Sequence, residues 1–144
     1  MNENTPSSSE PAGAWQRLTA LRDALLHLHK ALMETERIGY EKTFGKIQTP
    51  YQFLKLLTED PWFVWFRPVS QLVASIDETL DAKEPLTVAM VEALMSQTKS
   101  LLVPTVGGEG FSQHYDEALQ RDPDVVFAHA AVAKLLRPPA GGTP

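Results

Sequence analysis

Residues 18–44 read LTALRDALLHLHKALMETERIGYEKTF, and within them Leu18, Leu21, Leu25, Leu28 and Leu32 recur at alternating steps of three and four. That spacing holds one stripe of an α-helix, so a helix is predicted from Ala14 to about Phe44, roughly 45 Å long at 1.5 Å of rise per residue. Gly39 is expected to weaken it and Gly45 to stop it.

Working outward, helix signals dominate the rest of the chain. The stretch TPYQ at 49–52 offers Thr49 as N-cap, Pro50 at the first helical position and Gln52 at the capping-box position, which predicts a short helix to Thr58 carrying Phe53, Leu54, Leu56 and Leu57. Asp60-Pro61 repeats the cap-then-proline signature and opens a helix to about Asp81, with Pro68 imposing a kink or a late start. A further helix is predicted from about Leu86 to Leu102, ended by VPTVGGEG, followed by helices at about Phe111–Gln120 and, after Asp122-Pro123, about Asp124–Leu136. No segment alternates with period two, so the expected fold class is all-α: a bundle of four main helices with shorter additional helices. The domain is expected over residues 12–136. Residues 1–11, rich in Ser, Pro, Glu and Asn, and residues 137–144, RPPAGGTP, are expected to be disordered tails, being too poor in apolar surface to offset ordering entropy.

Composition narrows the function classes. The chain of 144 residues has a net charge of −5 and only scattered Lys and Arg, so it offers no basic field for a nucleic acid. It has no cysteine, which removes disulfides, thiolate metal sites and cysteine nucleophiles. The N-terminus MNENTPSSSEPAG has neither a basic nor an apolar segment of a signal peptide, and WFVWF at 62–66 is far short of the roughly 20 residues that span a bilayer. A soluble cytoplasmic protein without a membrane partner is expected.

The polar residues that need explaining lie beside the aromatic run DPWFVWFRPVSQL, 60–72. Trp62, Phe63, Trp65 and Phe66 are expected to supply core contact area. Arg67 follows directly, and a half-buried guanidinium requires a carboxylate. On the first helix, Asp23, His27, Lys30, Glu34, Arg37 and Glu41 form a solvated stripe of alternating sign. The neighbouring stripe Leu26, His29, Met33, Glu36 and Tyr40 borders the leucine seam. The expectation is that Glu36, with Tyr40 and His29, meets Arg67 and Ser70 across the helix interface, either as a register-fixing network or as a ligand site. In the ligand reading, Trp62, Trp65, Phe66 and His129 line the pocket and Arg67 holds an anionic group.

Chemical signatures are sparse. No Glu is followed three residues later by His, there is no His pair at i,i+4, and His29 and Glu36 stand two helical turns, about 10 Å, apart. No metal or other cofactor is therefore expected. His129 falls on the apolar side of the last helix, where a hydrogen-bonded core histidine is the expected role. There is no Gly-x-Ser-x-Gly, P-loop or Gly-x-Gly-x-x-Gly, and GGEG at 107–110 lacks the lysine or preceding strand of a phosphate loop.

The combination of LHLHKALMETERIGYE at 26–41 with DPWFVWFRPVSQLVASID at 60–77 resembles a group of small bacterial all-helical proteins. The resemblance spans about half the chain and implies an all-α bundle in a bacterial cytosol, with no established activity to carry over. The functional expectation is a non-catalytic interaction or regulatory module that binds a protein partner or itself; the alternative is a small-ligand or metal-binding bundle with a pocket near Arg67.

Overall fold

The computed structural model describes residues 4–103 and 108–137, with side chains from residue 13 onward. Residues 1–3 and 138–144 of the expected tails, and part of the glycine-rich loop at 107–110, lie outside the described residues. The described chain is all-α, with no strand: α1 (Asn4–Phe44), α2 (Pro50–Glu59), α3 (Pro61–Val64), α4 (Arg67–Asp81), α5 (Val88–Leu102), α6 (Phe111–Arg121) and α7 (Pro123–Leu136). The four long helices are α1, α4, α5 and α7, an arrangement compatible with the expected bundle.

The spine is α1. Leu18, Leu21, Leu25, Leu28 and Leu32 all have zero exposure. Full burial of each is worth about 2 kcal/mol of transfer free energy, an upper estimate because the unfolded chain already hides part of that surface. The seam is covered by α4 through Val69, Leu72, Val73 and Ile76, by α5 through Val91, Leu94, Met95 and Leu102, and by α7 through Val125 and Val132.

Helix ends follow local chemistry. Gly45 takes a φ of 101° and donates its N–H to the Glu41 carbonyl at 3.0 Å, the left-handed cap that ends α1. Thr49 Oγ1 accepts from the Gln52 N–H at 3.0 Å, while Gln52 Oε1 accepts from the N–H of Gln48, one residue ahead of the usual capping-box position. Asp60 and Asp122 perform the same double duty. Each backbone N–H closes the preceding helix, on Leu56 or Ala118, and each side chain accepts the N–H two residues on, from Trp62 or Asp124, at 2.9 Å. The following proline needs no partner for an N–H it lacks.

Between Val64 and Arg67 the helix breaks, as Pro68 requires: its ring crowds the carbonyl four residues back and it has no N–H to donate. The break lets Phe63 and Phe66, 1% and 2% exposed, both enter the core. Trp62 and Trp65 are left partly buried on the edge of that core. The Trp62 indole crosses α1 above Gly39, where an added Cβ would stand 3.3 Å from its Cζ2, and is pinned by an Nε1–H bond to the Glu36 carbonyl at 3.0 Å. Gly39 therefore trades helix propensity for a close aromatic approach.

Gly39→Val is expected to destabilise the fold by about 2 kcal/mol through overpacking against Trp62. Urea unfolding measures the loss, and a red shift of tryptophan emission in the folded variant reports displacement of the indole.

Candidate functional site

The five polar residues expected to converge are divided among separate sets of contacts. Arg67 is exposed, and its Nη2 donates to the Thr58 carbonyl at 2.7 Å. Thr58 lies in the last turn of α2, whose terminal carbonyls have no partner within the helix, so the guanidinium caps that end and complements its dipole. Ser70 Oγ donates to the Arg67 carbonyl at 2.9 Å within the first turn of α4. Tyr40 joins an aromatic group instead, its ring centroid 4.8 Å from Phe44, 5.5 Å from Phe63 and 5.9 Å from Trp62. His29 meets the Phe66 ring edge-on at 5.4 Å, and burial lowers its pKa. The break before Arg67 explains the redistribution: as the first residue of α4, Arg67 turns toward α2 and not toward α1.

The carboxylate of Glu36 has a different partner. It is buried, 8% exposed, and accepts from Nη2 of Arg121, the last residue of α6, at 2.8 Å. Arg121 Nε also donates to Thr35 Oγ1 at 3.4 Å. Burial pushes the Glu36 carboxyl above its ordinary range; the opposing influences are the charge and hydrogen bond of Arg121, then a hydrogen bond from Trp65 and the charge of His114. The same residue thus holds Arg121 by its carboxylate and Trp62 by its carbonyl. Around it, Trp65 stacks on His114 at 5.2 Å and 23° and packs against Phe111 at 5.6 Å, so α6 is fastened at both ends.

A second polar pair ties α6 to α7. Tyr115, 1% exposed, lies 2.7 Å from His129 Nδ1 through its hydroxyl. Burial raises the Tyr115 pKa and lowers that of His129, so both are neutral near pH 7. Either tautomer of the neutral imidazole keeps this hydrogen bond, because the tyrosine hydroxyl can both donate and accept. His129 is partly buried and takes Tyr115 as its hydrogen-bond partner.

These arrangements tie α6 to α1 and to α7. Among the described residues no group of three or more His, Asp or Glu could hold a metal ion. A concavity of about 510 Å³ between α4 and α5 is lined by uncharged residues such as Gln71, Ser75, Gln97 and Ser100. His129 faces a small space of about 140 Å³ between α5 and α7. Neither these nor the concavities beside α2 (about 320 Å³) and between α1 and α7 (about 490 Å³) are lined by Arg67, Glu36, Trp62 or Trp65. Among the described residues, no helix is long and apolar enough to cross a membrane.

Sequence reasoning found Glu36 but missed Arg121, which lies 85 positions away and carries no local signal beyond being a basic residue in a helix's last turn. Comparison with family models, curated proteins and solved structures finds no match, so the resemblance of residues 26–41 and 60–77 assigns no family.

Arg121→Ala strands a buried carboxylate and is expected to cost about 2 kcal/mol, below the fully buried range because Arg121 is itself half-exposed. Arg67→Ala removes one exposed hydrogen bond and is expected to cost about 0.5 kcal/mol. Urea unfolding of both variants tests that order. The pH dependence has two opposed parts. Because the Glu36 pKa is raised in the fold, its contribution is greatest in acid and is lost as pH rises from its ordinary value of 4.5 through the raised one. His29 and His129 have lowered values, so their contribution is full above 6.5 and is lost as pH falls through the lowered values. Glu36→Gln should abolish the first part alone, making the stability of wild type relative to the variant fall as pH rises.

Proposed function

We propose that this chain is a non-catalytic, partner-binding helical module of the cytosol, and that α2 and the adjoining end of α1 present its recognition surface. The observation that carries this reading is the state of α2. Tyr51, Phe53, Leu54, Leu56 and Leu57 make half of its ten residues large and apolar, yet none of its residues is buried. Tyr51 and Leu54, three apart and on one helical face, are 73% and 58% exposed, and Phe44 at the end of α1 is 64% exposed. Single exposed apolar residues are ordinary, but several large ones grouped along one short stretch of chain are what interaction surfaces carry.

The surface is held ready. Phe53 meets Phe63 edge-on at 5.6 Å, Phe44 meets Trp62 at 5.7 Å, Arg67 caps the α2 C-terminus, and Asp60 joins α2 to α3. A preformed apolar face loses little conformational entropy on binding. The small-ligand alternative is less well supported, because Arg67 is exposed and already engaged by a helix end, and because no concavity described gathers the aromatic and polar residues it requires.

The test is affinity capture from the source cytosol with the wild-type chain and a Tyr51→Ser/Leu54→Ser variant whose circular dichroism is unchanged. A specific protein retained by the wild type and depleted about tenfold or more by the variant is the expected result. Equal capture by both chains, or a small molecule co-purifying in native mass spectrometry without a protein partner, would overturn the reading.

A further inference from the structure

The groove between α1 and α7 has the features of a surface that pairs with itself. It is an open concavity of about 490 Å³ whose apolar lining includes Ala31 of α1 with Ala128 and Ala131 of α7. Three alanines leave volume that larger side chains would fill. On the same surface stands Phe127, 72% exposed, with most of its ring in water. A protruding aromatic and an apolar hollow therefore lie on one patch.

The charges on this patch point the same way. Lys30 of α1 and Asp124 of α7 both line the groove, and neither has an ion-pair partner among the described residues. Glu34, also on the rim, is already engaged by Arg37. A partner of uniform charge would be attracted at one of the two unpaired residues and repelled at the other. A rim of mixed sign is matched by a rim of mixed sign.

We infer that the α1–α7 groove is a two-fold self-association surface whose occupant is a second copy of this chain. In an isologous contact each patch meets its own copy. Phe127 enters the alanine-lined concavity opposite it, and Lys30 faces the partner subunit's Asp124, each contact occurring twice. The inference goes beyond the recognition surface proposed on α2 and does not depend on it, since it uses none of Phe44, Tyr51 or Leu54.

The test is sedimentation equilibrium of the full chain over a wide concentration range. The wild type is expected to dimerise. Phe127→Ser, which removes an exposed side chain and leaves the core intact, is expected to weaken dimerisation about 30-fold or more. Lys30→Glu and Asp124→Lys are each expected to weaken it about tenfold, and the two together to recover most of the loss, because the charges then exchange places across the two-fold axis. The Tyr51→Ser/Leu54→Ser variant should dimerise like the wild type, which separates this surface from the one on α2. A wild type that stays monomeric overturns the inference, as does a dimer indifferent to Phe127→Ser, a charge-swapped double variant no better than the single ones, or a dimer dissolved by Tyr51→Ser/Leu54→Ser.

Discussion

Exclusion of water from one face of α1 is the constraint on which the rest of the structure depends. Five leucines on that face have no exposed surface, and no one neighbouring helix covers them alone. α4, α5 and α7 each bring a short apolar stripe to the seam, so their positions are set by what α1 must bury. The long helix provides the template, and the shorter ones have defined places largely because they pack on it.

Short-range devices then decide how the chain moves from one position to the next. The two Asp-Pro junctions end one helix and start another within two residues, which keeps α2 against α3 and α6 against α7. The interruption before Pro68 has the widest consequence. It lets two phenylalanines into the core from adjacent turns, leaves the two tryptophans along its border, and turns Arg67 onto the end of α2. Arg67 thereby positions the helix whose outer face carries the proposed recognition surface, without needing to touch a ligand.

The polar residues near the core act as pins. Glu36 joins three segments, with Trp62 on its carbonyl and Arg121 on its carboxylate, and Tyr115 with His129 joins α6 to α7. A buried carboxylate is costly, and a hydrophobic residue of similar volume could stabilise as much. What the ion pair adds is position: α6 meets α1 in the one register that brings a guanidinium to that acid. This leaves the apolar residues outside the core, Tyr51, Leu54 and Phe127 among them, as the part of the molecule that its own packing does not explain.

Much of the fold was legible in the sequence because its signals are local. The leucine spacing marks α1, Gly45 its end, Thr49, Asp60 and Asp122 the helix starts, and Pro68 the break, since each acts through atoms within about one turn of itself. The site was legible only in part. Glu36 stands out as a carboxylate beside a leucine seam, but its partner depends on where α6 packs, and nothing near Arg121 announces that. The sequence expectation paired Glu36 with Arg67, the nearest arginine whose neighbours argued for burial, and the structure gives that acid to Arg121 because the helix break turns Arg67 away. By itself the sequence determined which segments become helices and which face of α1 must leave water, for those follow from periodicity and backbone chemistry. Only the tertiary structure decided which charges meet and which apolar residues stay exposed, because those depend on distances between residues far apart in the chain, set by the packing of whole helices.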